Sequence, residues 1–307
     1  MKKNLFLLGL LVCSMAGMAQ TTEKPESWYF KLGGSYFNQT ASTEFPTVGG
    51  HDAMDRTYVG GKLVSEESVT GSFGQGFRTG ITAGYRFSVR LGVELGVNYY
   101  TSNDKKMAQT RSDLPITPSG VYSFKSVGQI SAFDVAPALV MFLGEAHGFE
   151  PYTKVGVLVP IHGDLEITSD AYAPIAFNQT TGAPIAFGDV HSVDKVKPNP
   201  TLGFTAALGT SYKLGKHISA FAELEYRNFT VHGKTKETTE FTVNGQDALA
   251  TRTTAQIHTN YRDGLNVNSN NVLTNPNGVD KDKPMDELSS YVGISGLGLT
   301  LGLKYSL

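Results

Sequence analysis

Period-two alternation is the feature that most limits what this chain can become. In the run that ends it, Leu297, Leu299, Leu301, Leu303, Tyr305 and Leu307 are large and apolar, while Gly298, Thr300, Gly302, Lys304 and Ser306 between them are small or polar. Successive side chains of a strand point to opposite faces, so this run makes a strand whose two faces meet different surroundings. A half-buried soluble strand alternates in the same way, and one run decides nothing. Eight such segments can be read, at 27–38, 76–87, 91–101, 129–142, 151–161, 202–213, 218–231 and 291–307. Each holds roughly 11–17 residues, against the roughly 9–11 that a tilted strand needs to cross a bilayer and the five or six of an average strand.

The connections alternate in length. Segments 39–75, 102–128, 162–201 and 232–290 are long, whereas 88–90, 143–150 and 214–217 are short. Short turns on the periplasmic side and long loops outside characterise transmembrane β-barrels. On the apolar parity, Trp28, Phe30, Tyr85, Phe87, Tyr212 and Tyr305 fall at one end of the strands, and Tyr36, Phe77, Tyr99, Phe133, Phe204, Tyr226 and Tyr291 at the other. Membrane interfaces select two such aromatic girdles. Strand five departs from this, with Thr153, Val155, Val157 and Val159 outward and no aromatic. The expected fold is all-β, an 8-stranded antiparallel up-and-down transmembrane β-barrel with long extracellular loops and short periplasmic turns. Hairpin cues in the loops leave 10 strands as the alternative.

The opposite parity reads as the interior. It carries Lys31, Arg78, Arg86, Glu94, Asp134, Lys154, Glu223, Glu225, Arg227 and Lys304, interleaved with Gly80, Gly84, Gly96, Gly156 and Gly203. An Arg or Lys facing lipid at the midplane costs roughly 2–4 kcal/mol, so these groups are expected to point inward and pair. Eight strands leave room only for side chains, which predicts a packed polar lumen.

Composition narrows the classes further. One cysteine excludes a disulfide framework, and a formal charge of −2 supplies no basic footprint for nucleic acid. Lys2 and Lys3, the apolar stretch from Leu5 to Met18, and Gly17-Met18-Ala19 have the order of a secretory signal peptide cleaved after Ala19. Residues 1–19 are therefore expected to be a leader and 20–307 the barrel domain. Leu10-Leu11-Val12-Cys13 resembles a lipobox, but the bulky Val12 argues against lipidation.

The whole mature chain resembles the small bacterial outer-membrane β-barrel families that include the OmpA transmembrane domain, OmpX and OmpW. The local match is the terminal Thr300-Leu301-Gly302-Leu303-Lys304-Tyr305-Ser306-Leu307, similar to the signal those proteins present to the barrel-assembly machinery, with Leu307 where many end in Phe. The resemblance implies a location in the bacterial cell outer membrane, contact with its lipids and lipopolysaccharide, and assembly through the C-terminal strand. No periplasmic peptidoglycan-binding domain is expected. Fold likeness does not transmit function.

Function is therefore sought in the loops. Ala173-Pro174-Ile175-Ala176-Phe177 and Ala183-Pro184-Ile185-Ala186-Phe187 flank a turn-forming linker and predict a projecting hairpin. Asn244-Gly245 predicts a second hairpin turn, and the Asn-rich stretch 266–277 a mobile polar loop. Asp280, Asp282, Asp286 and Glu287 invite a calcium reading, but Lys281 and Lys283 interrupt them and a solvated charge cluster is expected. None of the seven histidines has the i, i+4 spacing of a helical zinc motif. His217-Ile218-Ser219 falls at a periplasmic turn, and His51, Asp52 and Asp55 lie in an outer loop without a second acidic pair.

No catalytic, cofactor-binding or metal residue is assigned, and no cofactor is expected. The expected function is non-enzymatic, a plugged barrel whose surface loops serve envelope integrity, surface interaction or adhesion, with an extracellular partner at segments 162–201 and 232–290. Passage of small or apolar solutes, which the resemblance to OmpW implies, and lipid-modifying hydrolysis are the alternatives.

Overall fold

The computed structural model describes residues 28–116, 121–178, 180–199 and 201–307. The expected leader 1–19, with Cys13, lies outside the described residues. Eight long strands form the frame: β1 (Trp28–Gln39), β2 (Gly76–Arg86), β3 (Leu91–Ser102), β4 (Val121–Phe142), β5 (Phe149–Phe177), β6 (Gly203–Lys213), β7 (Ile218–Asn228) and β8 (Gly296–Ser306). Each pairs antiparallel with the next, and β8 pairs with β1 from Tyr29↔Ser306 to Gln39↔Gly296, so the pairing returns to its start. Apart from a short helix at Thr254–Ile257 and a 3-10 turn at Leu249–Thr251, the described fold is all-β.

Alternation sets the two faces of this ring. Along β8, Leu297, Leu299, Leu301, Leu303 and Tyr305 are exposed, while Thr300, Lys304 and Ser306 are buried. Along β3 the same rule exposes Val93, Leu95 and Val97 and buries Glu94 and Asn98. The apolar face is therefore outside, and the polar one inside. Glycines make the narrow interior possible at specific crossings. A methyl group on Gly209 would lie 2.6 Å from the Tyr152 ring, and one on Gly84 would meet the Tyr29 ring closer still.

The long segments between strands differ from the sequence expectation. β4 begins at Val121 rather than 129, and β5 continues to Phe177 rather than ending at 161. Their ladder runs on through Tyr172↔Ser123, so much of what composition suggested as loop is strand extended beyond the ring. The strand Pro184–Asn199 pairs with the far half of β5, Thr230–Val243 pairs with Pro184–Asn199, and Lys105–Ile116 pairs with the far half of β4. These extensions persist because their inner faces have an apolar cluster to bury, including Phe73, Met107, Phe124, Ile130, Leu165 and Phe229. The chain thus has a polar core at the level of the ring and an apolar core in the storey above it.

Both hairpin cues are realised. Phe177 pairs with Pro184, closing the 173–187 hairpin, and Asn244 and Gly245 take φ of 50° and 75° between Val243 and Gln246, the left-handed pair of a type I′ turn. The Asn-rich stretch is not the shapeless loop its composition suggests. Asn270 Nδ2 donates to the carbonyls of Asp280, Lys283 and Pro284, and Asn270 Oδ1 accepts from Asp280 N–H. Asn271 Nδ2 donates to Asp286 O, which ties the stretch to the strand Met285–Leu288.

Candidate functional site

Two regions inside the molecule carry chemistry. The lower one is a chain of ion pairs across the ring. Lys31 Nζ lies 2.6 Å from Glu94 Oε1 and 3.0 Å from Glu223 Oε1, while Lys154 Nζ lies 2.7 Å from Glu223 Oε2. Tyr29 donates to Glu94 at 3.0 Å and Tyr152 to Glu223 at 2.8 Å. Toward the outer end, Arg78 grips Glu225 with both terminal nitrogens, and Thr205 donates to the same carboxylate. Arg227 then meets Asp134 at 2.7 Å, where Asn98 donates to the other oxygen. Toward the inner end, Glu150 receives Arg86 at 2.6 Å and Lys304 at 3.5 Å. A cavity among these side chains measures about 40 Å³, roughly the share of one water molecule. Bidentate and multiply bonded carboxylates of this kind are costly to break, because a lone buried charge is left behind.

The upper region is a cavity of about 260 Å³. Its wall is apolar, with Ile130, Leu165, Ile167, Val196, Phe229 and Val292 among the lining residues. The lining also carries the polar side chains of His162, Asp164, Lys197, His232 and Lys234, of which His162, Lys197 and Lys234 are exposed and so stand at the mouth. The opening follows from strand pairing. The β5–β6 ladder ends at Leu158↔Gly203, and the ladder between β5 and Pro184–Asn199 begins only at Leu165↔Val196. Between them, residues 159–164 have no ladder partner on that side among the described residues. Pro160 and Pro198 border this gap, and proline brings no N–H that an unpaired edge would leave unsatisfied.

The outer surface identifies the surroundings. Exposed aromatics pair at both ends of the wall: Trp28 with Tyr85 at 5.0 Å and Phe149 with Tyr212 at 4.6 Å at one end, Tyr36 with Phe77 at 4.8 Å and Tyr99 with Phe133 at 4.9 Å at the other. Between these girdles the exposed face is aliphatic, as lipid contact requires. A family model described as outer membrane protein beta-barrel domain matches residues 5–262. The chain belongs to that outer-membrane β-barrel family. No curated protein matches it. Among solved structures, the crystal structure of the outer membrane protein OprG from Pseudomonas aeruginosa is similar over 93% of this chain and 97% of that one, with 12% identity and a TM-score of 0.41.

In this outer-membrane barrel protein, all ten interior charges expected from parity take part in the lower network. Glu150 joins them: the sequence places it in the short segment 143–150, but the structure starts β5 at Phe149, so it shares the even parity of Lys154. The other candidates do not converge. His217 Nδ1 lies 2.9 Å from Ser306 O, at the inner end of β7. His51 stacks on Phe124 with ring centroids 3.9 Å apart, and burial, with Arg56 second, holds its imidazole below the usual range. Asp52 approaches Arg56, and Asp55 is occupied by Lys106 and Arg111. Asp280 pairs with Lys283 and Asp286 with Arg262, so these acids from the calcium reading are engaged by cations. The 260 Å³ cavity was missed entirely. Its lining comes from segments distant in sequence, and no single motif announces it.

Proposed function

We propose that the eight paired strands are the transmembrane wall of a non-enzymatic barrel that captures a small apolar solute at the outer face of the membrane. The observation that carries this reading is the apolar cavity of about 260 Å³ lying above the ion-paired lumen and beside a lapse in strand pairing. Pockets of this composition bind by burying apolar surface, with a few polar groups setting orientation. The lapse offers a side entrance at the level of the outer girdle, where Phe133 stands opposite His162. The lumen below offers no comparable path, because space among its charges is on the scale of one water molecule. Capture, rather than conduction along the axis, is what this arrangement favours.

The test uses the full chain refolded into phosphatidylcholine nanodiscs and a fluorescent apolar probe such as N-phenyl-1-naphthylamine. Saturable binding is expected, and Val196→Trp or Ile130→Trp, each filling the cavity, abolishes it without loss of heat-modifiable migration. Unsaturable binding, or binding that both filled variants retain, overturns the reading. Planar-bilayer recording of the same protein is expected to show no stable conductance.

A second reading rests on the 173–187 hairpin, whose Phe177 and Ile185 are exposed far beyond the wall. Those side chains suit docking to an apolar surface of another cell or matrix component. Deletion of 173–187 is expected to leave barrel folding and probe binding intact, while lowering attachment of whole cells to an apolar substratum. Unchanged attachment removes this reading.

A further inference from the structure

Two irregularities of strand pairing fall on the same cavity. On β5, Pro160 stands opposite Asp134 and His162 opposite Phe133, so Ile161 is an extra residue. On Thr230–Val243, Thr235 stands opposite Lys197 and Gly233 opposite Pro198, which makes Lys234 the extra residue. Bulges bend a strand and re-aim its side chains, and they concentrate beside functional sites. Here both extra residues, Ile161 and Lys234, line the cavity.

The second bulge brings charge to that mouth. Lys197 and Lys234 stand on facing strands about one register step apart, and both line the opening. Among the described residues neither has an ion-pair or side-chain hydrogen-bond partner. Two like charges at the edge of an apolar cavity, on facing strands, both attract a bound anion. His162 and His232 line the same cavity, His232 with its Nδ1 3.0 Å from Ser289 Oγ. Among the described residues, Asp164 is the one carboxylate in the lining. Its Oδ2 lies 4.0 Å from His162 Nε2, and its Oδ1 is buried without a hydrogen-bond partner among the described residues. A hydroxyl or amide N–H next to a ligand's head group would satisfy that oxygen.

Depth fixes the orientation. His162 pairs with Phe133 of the outer girdle, so the basic mouth lies at the height of lipid headgroups and the apolar wall extends away from it. The cavity of about 260 Å³ holds roughly nine groups of water size, which corresponds to a chain of about eight to ten carbons. We infer that the captured solute is a single-chain amphipathic anion, its chain against the apolar wall and its carboxylate between Lys197 and Lys234. This rests on the capture reading above and adds the chemistry of the head group.

The experiment compares decanoate with decanol as competitors for the fluorescent probe, on the full chain in phosphatidylcholine nanodiscs. Decanoate is expected to displace the probe at concentrations at least tenfold below those of decanol. The double variant K197Q/K234Q is expected to bring decanoate to the decanol value and leave decanol unchanged, whereas K197R/K234R keeps the preference. Both lysines are exposed, so heat-modifiable migration of the variants should match that of the parent. Equal displacement by decanoate and decanol in the parent protein overturns the head-group assignment and leaves solute capture standing. Loss of both competitors in K197Q/K234Q also overturns it, because the lysines would then only shape the wall. Displacement by neither compound removes the capture reading itself.

Discussion

Lys31 and Glu223, 192 positions apart in the sequence, meet at 3.0 Å inside the ring, joining its first strand to its seventh. Lys154 holds the other oxygen of Glu223, so this carboxylate sits between two ammonium groups. Glu223→Ala leaves both facing Glu94 alone. The expected cost is about 3–5 kcal/mol, typical of an uncompensated buried charge, read as a lower urea midpoint for unfolding from lipid vesicles. Adding Lys154→Ala should cost less than the two single changes together, because the pair is coupled.

Equal exposure does not mean equal solvent. Leu301 and Leu288 are 56% and 59% exposed, the first on the wall and the second in the storey beyond it. Leu301→Arg is expected to destabilise by about 2–4 kcal/mol in lipid vesicles. Leu288→Arg should lie within about 0.5 kcal/mol of the parent, as for an ordinary surface change. Similar losses at both sites would mean that the membrane boundary is misplaced.

Gly209 is where a ring crosses a strand. A methyl group there would lie 2.6 Å from the Tyr152 ring and 2.9 Å from Glu223 Cγ. Gly209→Ala must displace Tyr152, whose hydroxyl donates to Glu223. A loss of about 1–3 kcal/mol is expected from this overpacking, and Tyr152→Phe in the same background should not restore it, since the ring and not the hydroxyl makes the clash.

The outer loop should be acid-sensitive through Asp286. Partial burial acts upward on its carboxyl, but hydrogen bonds from Arg262 and from Asn270 N–H, with the Arg262 charge, outweigh it and hold the group below its usual range. The unfolded loop therefore binds the proton more readily, and stability rises with pH through the window below the ordinary aspartate value of about 3.9. The contribution is complete above that value and is lost as pH falls through the lower folded one. Hydrogen exchange should show Asn270 and Asn271 amides protected near neutrality and released in acid, and Asp286→Asn should remove that difference.

The wall and its lining were legible because alternation records two different surroundings on one strand. Leu299 and Thr300 needed only parity to be placed outside and inside. The storey above was not legible, because its strands change surroundings midway. β5 meets lipid as far as Val157 and water beyond Leu165, so one pattern cannot describe it. Parity also fails at Ile161 and Lys234, where an extra residue shifts every following side chain by one face. Those are the positions that border the cavity, which is why a reading based on regular alternation passed over it. The Asn270 network was hidden for a different reason: composition reports that a stretch is polar, not that its amides find partners.

The β1–β8 ladder has a temporal consequence. Tyr29 pairs with Ser306 and Lys31 with Lys304, so the two ends of the ring belong to opposite ends of the chain. Neighbouring hairpins such as β2–β3 and β6–β7 can form as soon as their own residues are available, but this ladder cannot begin until the final strand exists. Such distant pairings are entropically the slowest to close. Until then β1 and β8 each present an open edge, ready to pair with a foreign strand. Closing the β1–β8 ladder is thus the step that removes both open edges at once.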